Sequence, residues 1–231
     1  MTLKDILLMP IVPREESGYV IMDGIVYSGM TYGGCFDADM SDVAIDFYSI
    51  IYGVSREKIV LPEYRELKGD TMNSKLRYFK LDIRTKQEWE HKGHCLANMW
   101  LLPMDLGRTP PKHLNEVEKL YCKHSTIGKI HDYMDVFLEK VISNQLYYYE
   151  KYPNYFKCIG VDIDDFEKDF VKVHFLDPAY YENREVRLVD KKKLQEEEYR
   201  EWYDRLTTRA KIIAKDERAE LLLETFSEHI E

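Results

Sequence analysis

Followed as an alternation of apolar and polar positions, the chain carries its strongest core signal near the middle. Leu96-Ala-Asn-Met-Trp-Leu-Leu102 is an apolar run with one polar member, Asn98, fenced by Gly93 and Pro103. That is the pattern of a strand covered on both faces. The Asn98 amide must then either bond nearby backbone or turn into a cleft at the strand mouth with His94 and Arg108. Residues 19–22 and 25–28 are β-prone runs around Asp23-Gly24, and Asp-Gly supplies the positive φ angles of a hairpin turn. Val43, Ala44, Phe47, Ile50 and Ile51 recur at helical spacing, with Ser41 or Asp42 as the cap and Gly53 in the stop position. Residues 59–61 and 78–83 read as strands, and the polar stretch 65–74 between them reads as a loop. In that loop, Glu66-Leu67-Lys68 fits a nuclease Glu-x-Lys element, a triplet that a charge-rich chain produces by chance.

Residues 85–91 predict a short helix ending near Gly93. Pro111 then opens a helix with Leu114, Val117, Leu120 and Tyr121 inward. Ser125 or Thr126 opens a longer one, with Ile127, Ile130, Met134, Phe137, Leu138, Val141 and Leu146 on its inner side. The tyrosines at 147, 148, 149, 152 and 155 fit a core cover with wet hydroxyls. The acids from Asp162 to Asp169 fail as a calcium loop because Phe166 stands where an oxygen ligand is needed. Residues 170–176, FVKVHFL, alternate cleanly and predict a strand whose polar side carries Lys172 and His174. Beyond Lys191, Leu194, Tyr199, Trp202, Tyr203, Leu206, Ala210 and Ile213 return to helical spacing. A last stripe, Leu221 to Leu223, Phe226 and Ile230, needs cover from the same domain or from another chain.

These elements predict an α+β fold: a small, mainly antiparallel sheet covered by several helices, with a helical C-terminus. The expected division is a core domain over residues 1–189 and an amphipathic helical segment over 190–231, packing on that core or on a partner. Self-association or a protein partner would use Leu222, Phe226 and Ile230.

Composition narrows the classes. The chain has 231 residues, 45% hydrophobic and 32% charged, which suits one globular core. A net charge of -9 argues against a broad nucleic-acid surface, since such affinity comes from neutralising phosphates. No run is long and apolar enough for a membrane span, so a soluble, cytoplasmic protein is expected. The four cysteines, Cys35, Cys95, Cys122 and Cys158, have neither CxxC spacing nor the density of a secreted scaffold, and read as reduced thiols. His91, His94 and Cys95, with Cys122 and His124, are the candidate metal ligands, although their spacing matches no closed zinc site. No cofactor motif is present: the glycines near Cys35 fit neither GxGxxG nor a phosphate loop.

Two resemblances attach to quoted residues. Phe36-Asp37, the tyrosine-bearing helix with Tyr48 and Tyr52, the segment from Leu96 to Pro103, a helix ending in tyrosines and the charged aromatic helix from Tyr199 to Arg209 together remotely resemble a bacterial family known only as a domain of unknown function. The glycine pair that this family carries is replaced here by Ala97-Asn98. Its later Asn-Gly-Ala-Arg-Gly element is reduced to Gly107-Arg108. The resemblance implies no reaction, and it carries over Arg108 alone. Asn98-Met-Trp-Leu-Leu-Pro103, preceded by His91 and His94, is also similar to the corresponding segment of His-Asn-His nucleases, which would imply a water-activating histidine and a second that holds metal. The upstream Asp-His pair of that motif is absent. The leading expectation is therefore a non-enzymatic interaction or binding protein, with His94, Asn98, Asp105 and Arg108 as binding candidates and no catalytic residue assigned. The alternative is a divergent metal-dependent hydrolase or nuclease built on residues 91–103.

Overall fold

The computed structural model describes residues 1–13, 25–27, 31–32, 35–36, 38–60, 67–71, 92–103, 129–130, 141–142, 145–179, 189–190 and 196–230. The expected strand at 78–83, the helices at 85–91 and after Pro111, and the first arm of the Asp-Gly hairpin lie outside them.

Helix α1 (Leu3–Leu8) opens on a capping box in which Thr2 and Asp5 satisfy each other's amides, and it buries Leu3, Ile6 and Leu7. Strand β1 (Ile11–Pro13) runs parallel to β2 (Ile25–Tyr27), while β3 (Thr31–Tyr32) and β4 (Cys35–Phe36) pair antiparallel. Helix α2 (Asp42–Tyr52) is capped by Ser41, whose hydroxyl accepts from the Ala44 amide at 3.2 Å. It ends on Gly53 at φ 63°, a left-handed value that glycine adopts without a Cβ penalty. Tyr48 and Tyr52 are buried along with Val43, Ala44, Phe47 and Ile51 of the predicted apolar stripe, while Ile50 is half-buried, so α2 is enclosed on more than one face.

Two short segments differ from expectation. Residues 56–60 form helix α3 (Arg56–Val60) rather than a strand. Only Ile59 is buried there while Arg56, Glu57 and Lys58 are exposed, and a single helical turn can present one inward side chain in that way. The polar stretch read as a loop contains strand β5 (Leu67–Thr71), which pairs antiparallel with β6 (Met99–Pro103), Gly69 opposite Leu101 and Asp70 opposite Trp100. Backbone hydrogen bonding to a strongly apolar partner fixes this strand, a cause that its own side chains do not advertise.

The central apolar run is buried as expected, with Met99, Trp100 and Leu101 at 0% exposure. Its first residues, Leu96–Asn98, form a 3-10 turn, and the strand proper begins at Met99. Strand β7 (Lys129–Ile130) pairs with β8 (Val189–Asp190), so the predicted long helix does not run through those positions, although Val141 and Ile142 are helical and buried.

Helices α4 (Gln145–Lys151) and α5 (Pro153–Ile159) follow, the latter with proline in its first turn and Gly160 at φ 75° after it. Helix α6 (Phe166–Val173) then replaces the expected strand at 170–176. FVKVHFL satisfies both periods, but Phe166 lies four residues before Phe170, and their rings stack at 5.7 Å on the buried side of a helix. The preceding acids serve that helix locally: Asp162 accepts from the Asp164 amide, Asp169 accepts from the Asp162 amide, and Glu167 and Asp169 occupy the first turn, where negative charge is favoured.

Helices α7 (Glu196–Ile213) and α8 (Ala219–Ser227) form the helical C-terminus, and α1 packs against both. Leu222 and Phe226 are fully buried within the chain, and Ile230 is half-buried beside Ile25. Leu222 and Phe226 of the stripe assigned to a partner are therefore covered by the protein's own core, with α8 seated on α1 and α2, while Leu221 and Leu223 stay exposed. The architecture is α+β with a minimal sheet: among the described residues the strands make four two-stranded pieces, one parallel and three antiparallel. No helix among the described residues is long and apolar enough to cross a membrane.

Candidate functional site

The polar centre of the structure lies beside Trp100 but is built from residues that the sequence reading did not assemble. Asn98 is fully buried. Its amide nitrogen donates to the Gly93 carbonyl at 2.8 Å, and its oxygen accepts from the Trp100 indole N–H at 3.2 Å. Asn98 thus bonds local backbone and fixes the indole, whose face meets the guanidinium of Arg209 with Cζ 3.7 Å from the ring centroid.

Arg209 is 2% exposed. Its Nε donates to the His174 carbonyl at 3.0 Å, Nη1 to the carbonyls of Ala97 at 2.6 Å and Met99 at 3.0 Å, and Nη2 to the Tyr52 hydroxyl at 3.4 Å. None of these partners is a carboxylate. The rigid fork answers carbonyls left over where the 3-10 turn meets β6 and where α6 ends, groups that would otherwise be buried without partners. Burial lowers the Arg209 pKa from its ordinary value, while the nearby phenols and the Cys95 thiol act in the opposite sense.

His174, also fully buried, extends this centre. Its Nδ1 lies 3.1 Å from the Tyr52 hydroxyl, and its Nε2 lies 3.1 Å from the Tyr155 hydroxyl. Tyr155 donates its proton to the Leu101 carbonyl at 3.0 Å, so its oxygen accepts from His174, and the imidazole carries its hydrogen on Nε2. Tyr52 therefore donates to Nδ1 while accepting from Arg209. Every donor points one way along the chain from Arg209 through Tyr52, His174 and Tyr155 to Leu101, with a neutral imidazole in the middle.

Burial, and then the like charge of Arg209, hold the His174 pKa well below its ordinary value, whereas burial raises that of Tyr52 and pushes that of Tyr155 well above the usual phenol range. Because the folded pKa of His174 lies below the unfolded value of about 6.5, the unfolded chain takes up this proton first. Its contribution to stability is whole above about pH 6.5 and declines as the pH falls toward the folded pKa, by up to about 1.4 kcal/mol per pH unit.

His174 is also the C-cap residue of α6. The Phe175 amide donates to the Lys172 carbonyl at 3.1 Å and the Leu176 amide to the Val171 carbonyl at 3.0 Å, the paired bonds of a Schellman cap. Glycine is the usual residue at its left-handed position, yet Phe175 occupies it at φ 55°. That conformation costs a non-glycine residue roughly 1–2 kcal/mol. It is held because the ring is 3% exposed and packs under Arg218, whose Cζ is 5.1 Å from the ring centroid.

An open groove of about 620 Å³ runs along this cap. Its floor is Val171, Phe175, Leu176, Pro178 and Ile212, and its rim carries Glu167, Lys168, Lys172 and Asp216. Asp216 is taken up by Arg218, whose Nη2 donates to its Oδ2 at 2.9 Å, and this bond lowers the carboxyl pKa. The rim thus carries two lysines and two carboxylates, and Lys168 lies 4.0 Å from Asp165 just outside it.

Of the residues proposed from sequence, Asn98 is sealed in the core and His94 is half-buried, its carbonyl accepting from the Ile11 amide at 2.7 Å. Asp105, Arg108, His91, Cys122 and His124 lie outside the described residues. Cys95 is fully enclosed, and burial pushes its thiol up to about 12. Alkylation of the native protein near neutral pH, mapped by mass spectrometry, is expected to leave Cys95 unmodified until denaturant is added; labelling of Cys95 in the native state would contradict its enclosure. Among the described residues, no three histidine, cysteine, aspartate or glutamate side chains converge as a metal site.

Arg209 does carry a sequence signal: it stands three residues after Leu206 and four before Ile213, on the buried face of its helix. His174 had none once its segment was read as a strand. The chain matches no protein-family model, no curated protein and no solved structure.

Proposed function

We propose that the protein is a non-enzymatic binding protein that takes a small amphipathic anion in the groove along the end of α6. The observation that carries this reading is the groove itself, whose volume falls within the range of roughly 300–1,000 Å³ typical of small-molecule sites. Its apolar floor suits an alkyl or aromatic body. Lys168 and Lys172, four residues apart on one helix face, suit an acidic head. A network whose donors and acceptors already answer one another, as around His174, braces the wall of such a site and does not require a reaction.

The test uses decanoate and naphthalene-2-sulfonate as probes in isothermal titration calorimetry. Saturable binding is expected, abolished by Ile212→Glu, which sets a carboxylate on the floor. Lys172→Ala is expected to weaken it about two- to fivefold, the scale of an exposed charge pair. No saturable binding by either probe, or binding indifferent to Ile212→Glu, overturns the reading. Stoichiometric transition metal in the purified protein would favour instead a metal-dependent hydrolase at residues 91–103.

A further inference from the structure

We infer that the groove is proton-linked: protonation of His174 inside the core opens the end of α6, so that the groove releases its anion as the pH falls. This regulation rests on the binding reading given above.

The geometry carries the argument. A proton added at Nδ1 turns an acceptor into a donor aimed at the Tyr52 hydroxyl, 3.1 Å away. That hydroxyl already accepts from Arg209, and its own hydrogen then loses the acceptor it had. Among the described residues, the imidazole meets Tyr52 from α2, Tyr155 from α5, the Trp100 ring from β6 and Phe170 from its own helix, and it feels the charge of Arg209 from α7, whose Nε holds the His174 carbonyl. The charged one among these, Arg209, has the same sign as the incoming proton. Burial of the ring and this like charge both oppose protonation in the closed arrangement, so the proton is accommodated by moving the residue that carries it.

Movement of His174 does not stay local. Its carbonyl is held by Arg209, and the next residue is Phe175 in a left-handed conformation. A strained position persists only while its surroundings over-determine it. Freeing His174 removes one of those constraints, and the chain beyond it is Phe175 and Leu176, two residues of the groove floor. The ligand and the proton therefore favour opposite arrangements of one short segment. By linkage each must weaken the other.

The experiment measures naphthalene-2-sulfonate affinity, with a probe that stays ionised throughout, between about pH 7.5 and about pH 5, below the ordinary histidine pKa. Hydrogen exchange of the amides at 174–176 is followed over the same range. Affinity is expected to fall by up to about tenfold per pH unit while the protection factors at the cap, which divide out each amide's intrinsic exchange rate at that pH, decline. His174→Gln keeps a donor and an acceptor without titrating in this range, and it is expected to bind with flat pH dependence. Should that variant not fold, NMR titration of the wild-type imidazole decides: a His174 pKa lowered further by ligand supports the linkage, and one indifferent to ligand overturns it. Equal affinity and unchanged protection factors across the range sink the linkage while leaving the groove reading intact. No binding at any pH sinks both.

Discussion

Replacement of Arg209 by alanine is expected to destabilise the fold by about 3–5 kcal/mol, the scale of several buried carbonyls left without a donor together with a cavity. The cost has two parts. The carbonyls of Ala97, Met99 and His174 lose a donor inside a core that water does not reach. The volume beside the Trp100 face is left empty. Against a typical total stability of about 5–15 kcal/mol, this is a large share. Arg209→Lys is expected to recover only part of the loss, because an ammonium cannot span several carbonyls as the planar fork does. Urea denaturation of wild type and both variants, read at constant m-value, measures the difference. A loss below about 1 kcal/mol for the alanine variant would mean that the carbonyls find other partners, and that the joint between α6, α7 and β6 is not what Arg209 holds.

Gly69→Ala is the second large effect, expected to cost about 1–3 kcal/mol as overpacking. Gly69 sits in β5 opposite Leu101, and a Cβ built there lies 2.6 Å from the Tyr48 hydroxyl and closer still to the Asp39 carbonyl oxygen. Tyr48 donates to that same carbonyl at 3.1 Å, so the hydrogen bond passes where the side chain would stand. Combining Gly69→Ala with Tyr48→Phe separates the two obstacles. Most of the cost is expected to persist in the double variant, because the nearest obstacle is backbone and cannot rotate away. Full relief in that variant, measured by thermal or urea unfolding, would show that the tyrosine hydroxyl alone sets the constraint.

Both positions mark how far local pattern reaches. Gly69 lies in a stretch that its own composition predicts as a polar loop, because Lys68, Gly69 and Asp70 have low strand preference. The pairing that makes them a strand comes from Met99–Pro103, some 30 residues later in the chain. Arg209 ends a charged aromatic stretch, and a guanidinium is ordinarily exposed. The carbonyls that draw it inward come from the turn at Leu96–Asn98 and from the end of α6, neither visible from within α7. Arg108, one corner of the expected cleft with His94 and Asn98, lies outside the described residues. Asn98 was correctly placed as a buried amide, but its partners proved to be Gly93 and Trp100.

What the sequence determined by itself is the set of features whose cause is local. The Ser41 cap, the Gly53 stop and the apolar face between them specify α2 without help, and the unbroken apolar run around Trp100 is committed to the interior wherever the rest of the chain goes. The helical C-terminus follows equally from spacing alone. Tertiary structure decided what local pattern leaves degenerate: that FVKVHFL coils, because Phe166 and Phe170 stack in the core; that Leu222 and Phe226 are covered from within; and that Arg209 and His174 meet between tyrosines. A segment of seven residues can satisfy two periodicities, and a polar side chain can satisfy its hydrogen bonds in water or in a core. In each case the choice belongs to the free energy of the packed whole, which no short stretch contains.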